Sequence, residues 1–178
     1  MGTTRQFKLT ANTTGAFYQG CVVNVGAGVI TPTSATPTTT RDGASPTGIF
    51  LGVHYFNSTQ PVYANYFPAN GYTSYSAYGD ITMLVYDNPD LEFRVQGDDT
   101  IAYTAIGKNA QLASFTGSAV NGKSAIALDA STIDTTNTFG LKIIDIDAGP
   151  LNAAGDAFTN VVCRWNQNVH TYRNILGV

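Results

Sequence analysis

Residues 81–96 read Ile81-Thr82-Met83-Leu84-Val85-Tyr86, Asp87-Asn88-Pro89-Asp90, Leu91-Glu92-Phe93-Arg94-Val95-Gln96. Six residues rich in β-branched and aromatic side chains precede a turn of Asp, Asn and Pro, and a second such run follows. In the second run Leu91, Phe93 and Val95 alternate with polar partners, the pattern of a strand with one buried face. Glu92 within it is the single glutamate of the chain. A helical bundle or coiled coil needs Glu, Lys, Leu and Ala in quantity, so this composition excludes one.

The same punctuation runs through all 178 residues. With 18 Gly and 7 Pro, a breaker falls about every seven residues, too often for ordinary helices but suited to strands of five or six. Further strands are predicted over residues 6–10, 21–25, 49–56, 62–67, 101–106, 124–128, 139–147 and 158–165. Asp98-Asp99 and Asn166-Gln167-Asn168 read as hairpin loops between them. Strands at this spacing predict an all-β fold, a single compact β-barrel or β-sandwich domain over residues 1–178 with long irregular loops.

Charged residues make up only 12% of the chain, with net charge −3 and a pI near 5.1, and 43% is hydrophobic. That argues against global disorder and against a nucleic-acid footprint, so no nucleic-acid partner is expected. No apolar run approaches the ~18 residues of a membrane span, and the opening MGTTRQFKLT lacks the apolar core of a signal peptide. No membrane association is expected. Cys21 and Cys163 sit in hydrophobic runs far apart in the chain and read as buried free thiols.

Two stretches are biased. Residues 31–46, TPTSATPTTTRDGASP, cannot fill a core. They are expected to form an exposed loop, or an arm ordered against a partner through residues such as Thr36 and Arg41. Residues 65–79 crowd Tyr66, Phe67, Tyr72, Tyr75 and Tyr78 into a turn-rich segment. Tyrosine gives contact area at low entropy cost and keeps a polar end, which suits an interface; the same rings also suit cover for the domain's own core.

Residues 117–124, Gly-Ser-Ala-Val-Asn-Gly-Lys-Ser, match the phosphate-binding loop G-x-x-x-x-G-K-[ST] letter for letter. That motif works only between a buried strand and a helix start. Here the preceding QLASF is a poor buried strand and the following residues are poor helix formers, so a Gly-rich β-turn is expected and Lys123 should be solvated. The aspartates at 87 and 90, 98 and 99, and 145 and 147 form no EF-hand pattern. His54 and His170 read as side chains on half-buried strands, and no GxSxG elbow occurs. Asn12-Thr13-Thr14 and Asn57-Ser58-Thr59 match the glycosylation sequon in a chain with 24 Thr and 14 Asn, where chance matches are expected. No enzyme chemistry, no metal and no cofactor are expected.

Several segments carry a resemblance. They are Tyr18-Gln19-Gly20-Cys21-Val22-Val23 with Gly28-Val29-Ile30-Thr31-Pro32; Gly48-Ile49-Phe50-Leu51-Gly52-Val53-His54-Tyr55; Gln60-Pro61-Val62 with Asn65-Tyr66-Phe67-Pro68-Ala69, Val85-Tyr86-Asp87-Asn88-Pro89 and Phe93-Arg94-Val95-Gln96; and Ile106-Gly107-Lys108-Asn109-Ala110 through Gly122-Lys123-Ser124 to Ala127-Leu128-Asp129. Together they resemble small virion structural proteins of short-tailed bacteriophages, in particular head decoration or cement proteins. The resemblance implies a non-enzymatic β-rich protein, made in the host cytoplasm and carried on the capsid surface, with the major capsid protein and copies of itself as partners. Tyr66, Phe67, Tyr72, Tyr75, Tyr78, Thr36 and Arg41 are then the candidate contacts. A head–tail connector or tail component, and a carbohydrate- or receptor-binding β-domain, remain open.

Overall fold

The computed structural model describes residues 4–26, 28–32, 45–167 and 169–173. Its strands are β1 (Thr4–Leu9), β2 (Phe17–Tyr18), β3 (Val22–Gly26), β4 (Val29–Pro32), β5 (Gly48–Asn57), β6 (Gln60–Ala64), β7 (Tyr66–Phe67), β8 (Thr82–Tyr86), β9 (Glu92–Gln96), β10 (Asn109–Ala113), β11 (Gly117–Ser118), β12 (Lys123–Ser124), β13 (Ala127–Asp134), β14 (Leu141–Ile146) and β15 (Asn160–Trp165). One short α-helix, α1 (Gly71–Tyr75), interrupts them. The fold is all-β, with about half of its residues in strands.

The first sheet runs β3-β4-β1-β8-β5 and closes into a five-stranded barrel where β5 returns to β3, pairing Val22 with Ile49 and Val23 with Gly48. β6 continues along the far half of β5 through a two-residue turn, with Ser58 in the left-handed conformation at φ 59°. The Asn57-Ser58-Thr59 sequon is thus a hairpin turn. Barrel closure requires β5 to bend. A β-bulge at Leu51 supplies the bend, because Phe50 faces Val85 while Gly52 faces Leu84. The extra residue shifts the inward phase, so Phe50, Val53 and Tyr55 all point into the core. They pack with Phe17, Phe67, Ile30, Met83 and Val85.

The second sheet runs β13-β10-β14-β15-β9, antiparallel throughout. A bulge at Ile144 turns β14 as Leu51 turns β5, bringing Leu141, Ile143 and Ile146 inward. The sheet curls until Gly97, just past β9, bridges to Leu128 on β13, and the Asp98 N–H donates to the Leu128 carbonyl at 2.9 Å. Its core includes Val95, Leu112, Leu128, Leu141, Ile143, Val161, Cys163 and Trp165. Val22 of the first sheet belongs to this second cluster, and Ile126 packs against both. Cys21 and Cys163 are buried and free, and burial pushes each thiol up to about 12.

Several strand expectations need correction. Residues 101–106 form no strand. Ile101 and Ala105 plug the second core, and Tyr103–Ala105 makes one 3-10 turn. Asp98-Asp99 is therefore no hairpin loop; β9 pairs instead with β15, about sixty residues on. No strand among the described residues follows Trp165, so Asn166-Gln167 opens no hairpin and His170, expected on a half-buried strand, is instead fully buried outside any strand; Asn168 lies outside the described residues. The Asn166 side chain donates back to the Asn137 and Phe139 carbonyls instead. Strands β4 and β10 lack a strong alternating pattern and are formed by pairing with β1 and β3, and with β13 and β14.

Candidate partner-binding surface

The tyrosine-rich segment packs on the core of the first barrel. Asn70 enters α1 in the left-handed conformation, at φ 57°, and its N–H donates to the Thr14 carbonyl at 3.1 Å. Gly71 sits against the Phe67 ring with no room for a Cβ. This packing separates the candidate residues. Phe67 is a correction: its ring has no exposed surface, because it takes the inward phase of β7 opposite Phe17 and packs edge-on to Tyr55 at 5.5 Å. Tyr75 is half-buried, with its ring 4.5 Å from that of Tyr55. Tyr72 is half-buried, packs on the same core, and lines a groove of about 480 Å³. The Lys8–Asp80 ion pair, 2.8 Å, lies between two other residues of that lining. Tyr66 is stacked on Tyr18 at 5.2 Å. Tyr78, half exposed, is the one residue of the five that the fold leaves largely to solvent. Thr36 and Arg41 lie outside the described residues.

A more exposed aromatic strip lies on the neighbouring β5–β6 ribbon. His54 pairs with Tyr63 across the ribbon, and their rings stack at 4.4 Å. Phe56, two residues along the same face, meets His54 edge-on at 5.4 Å. Gly79, beside Tyr78, lies against Phe56. Tyr63 is 75% exposed. The sequence marks His54 as a half-buried strand residue and gives Tyr63 no distinction. The signal was the phase of β6: the half-buried Val62 and Ala64 pack on the core, so the residue between them must face out.

The phosphate-loop lookalike is a β-hairpin. Gly117 pairs with Ser124 and Ser118 with Lys123, and the Gly122 N–H donates to the Ser118 carbonyl at 2.8 Å. No helix follows among the described residues, and Lys123 is exposed. The hairpin clasps the two sheet systems together. The Gln19 N–H is shared between the Gly122 carbonyl at 2.8 Å and the Asn65 carbonyl at 3.0 Å, and the Ser124 N–H donates to the Gln19 carbonyl at 2.9 Å. Gly117 lies flat on the Tyr18 ring, where any Cβ would collide with the ring carbons. The motif's glycines therefore serve close packing of chain on chain.

The aspartates are occupied by structure. Asp87 is buried and receives Arg5 at 3.0 Å and the Tyr172 hydroxyl at 3.0 Å; Arg173 pairs with Asp90, and Arg94 with Asp147 at 2.7 Å. Asp98, Asp99 and Asp145 accept from backbone N–H groups. Among the described residues no three His, Cys, Asp or Glu side chains converge as metal ligands, and no helix is long and apolar enough to cross a membrane.

A scan against protein-family models and searches of curated proteins and of solved structures found no match to this chain.

Proposed function

We propose that the chain is a non-enzymatic virion structural protein of a short-tailed bacteriophage, a head decoration or cement protein. It binds the outside of the capsid and stabilises the shell by bridging major capsid subunits, with contacts between its own copies. The observation that supports this reading most is the aromatic strip of Tyr63, His54 and Phe56, flanked by Tyr78, on the outer face of a closed barrel. Aromatic side chains are enriched at protein interfaces, whereas Lys and Glu are depleted there. The strip stands on paired strands, so little ordering entropy is lost when it docks. A second contact to a neighbouring subunit is intramolecular once the first is made, so a small protein can stabilise a large shell.

The test assembles capsids with and without the protein and with Tyr63→Ser plus Tyr78→Ser. The parent is expected to coat the shell and raise its melting temperature, and the double variant to lose most of that effect while keeping its own fold. A parent found only at the neck or tail, with shell stability unchanged, points to a connector. The Tyr63 ring is held on His54 by one face and is 75% exposed, so its other face suits a sugar ring, which favours a carbohydrate-binding module as the second reading. Binding of the parent to glycans, lost in Tyr63→Ser, together with an inert capsid assay, selects it.

A further inference from the structure

The last described segment, residues 169–173, is stitched to residues 45–47 and to the turn between β8 and β9. The Thr171 N–H donates to the Pro46 carbonyl at 2.9 Å, and its hydroxyl lies 3.1 Å from the Ser45 carbonyl and 3.1 Å from the Thr47 hydroxyl. The Tyr172 hydroxyl donates to Asp87, which also holds Arg5 of β1, and the Arg5 guanidinium lies over the Tyr172 ring at 5.4 Å. Arg173 pairs with Asp90. At the centre is His170, fully buried, with its ring 6.3 Å from that of Trp165.

The hydrogen bonding of His170 leaves no place for a second proton. Its Nδ1 accepts from the Tyr172 N–H at 3.2 Å, so the neutral ring carries its one proton on Nε2. That Nε2 is buried and makes no hydrogen bond of normal geometry, the Thr47 backbone being the polar group beside the ring. A proton added to the ring must go to Nδ1, where it would face the Tyr172 N–H. Donor would oppose donor, and the 170–172 turn would have to open.

We propose that residues 169–173 form an acid-released latch, in which protonation of His170 expels the Tyr172 amide from Nδ1 and draws the Tyr172 hydroxyl off Asp87.

The charged and titratable groups around the ring are Asp87 and Asp90 from the turn between β8 and β9, Arg5 from β1 beyond Asp87, and Tyr172 and Arg173 from the segment itself. Burial opposes a charge on the ring and pushes it down to about 4 in the closed latch; the Thr47 backbone and the Asp87 charge offset this only in part, and Arg173 adds to it. An opened, hydrated His170 titrates near its ordinary 6.5. The open state therefore binds the proton and the closed one does not. Lowering the pH from 7 to 5 multiplies the open population about twentyfold.

Amide hydrogen exchange tests this, corrected for the intrinsic pH dependence, on the full chain and on His170→Gln, whose side-chain oxygen can accept from Tyr172 but cannot titrate. In the parent, exchange at Thr171, Tyr172 and Arg173 is expected to rise about twentyfold from pH 7 to pH 5 while the amides of β8 and β15 stay protected. In His170→Gln it should change less than threefold. Equal behaviour of parent and variant, or protection that persists in the parent at pH 5, overturns the proposal. If the variant does not fold, nitrogen NMR of the parent decides: His170 protonation and loss of Tyr172 amide protection must share one midpoint, and two separate midpoints overturn it.

Discussion

The Tyr172 hydroxyl donates to Asp87 Oδ2 at 3.0 Å across 85 residues of sequence. Asp87 stands where the chain leaves the first barrel for the second sheet, and the same oxygen receives Arg5 from β1 at 3.0 Å. One buried carboxylate thus joins β1, the crossover and residues 169–173. Removing it leaves the part-buried Tyr172 hydroxyl without its acceptor, while Arg5, 59% exposed, turns to water. Asp87→Ala is expected to lower stability to urea by about 1–3 kcal/mol, and Tyr172→Phe by about 1 kcal/mol, since only the second leaves the Arg5 contact whole.

The clasp between the sheets turns on Gly117. Gly117→Ala puts a methyl group into the Tyr18 ring, itself held by stacking on Tyr66. A loss of about 2–3 kcal/mol is expected in chemical denaturation. Lys123→Ala, on the exposed side of the same hairpin, should stay within about 0.5 kcal/mol of the parent. ATP with Mg²⁺ should leave the melting temperature of both unchanged, because a ligand bound only by the native state must raise it.

Phe67 and Tyr78 lie eleven residues apart in one biased stretch but should behave oppositely. Phe67→Ala opens a cavity among Phe17, Tyr55 and Tyr75 and is expected to cost about 3–5 kcal/mol. Tyr78→Ser, on the surface, should cost less than about 0.5 kcal/mol. Thermal melts of the two variants separate core cover from contact surface before any partner is tested.

Both thiols are buried, Cys163 completely and Cys21 to within 8% of full burial, and burial pushes each up to about 12. The reactive thiolate is absent at pH 8 in the fold. A disulfide-exchange reagent such as DTNB is expected to label neither thiol in minutes at pH 8, and to label both at once when denaturant is added.

Global stability should also follow His170. Its folded value is lowered to about 4 from 6.5, so below pH 6.5 the unfolded chain takes up a proton that the native chain refuses. Stability from this source is complete above about pH 7 and is lost as pH falls from 6.5 toward 4. Urea midpoints for the parent should decline across that range more steeply than for His170→Gln.

The all-β class was legible because it rests on local physics: breakers too close for helices, one glutamate, and β-branched runs such as residues 81–86 that have no other low-energy use. The hairpin nature of residues 117–124 was legible for the same reason, since a phosphate loop needs a helix after it and these residues do not make one. Pairing was another matter. Residues 101–106 are apolar enough for a strand, yet Ile101 and Ala105 are drawn inward as plugs once β9 takes β15 as its neighbour. The tyrosines of residues 65–79 carry the same chemistry in sequence; the inward phase of β7 and the seating of α1 bury Phe67, half-bury Tyr72 and Tyr75, and leave Tyr78 outside. Tyr63 drew no notice in sequence because its exposure follows from the register of β6 on β5. Composition and spacing determine which backbone conformations each segment can hold. Only closure of the barrel and curling of the second sheet decide which face of a strand meets the core, because that choice depends on partners scores of residues away.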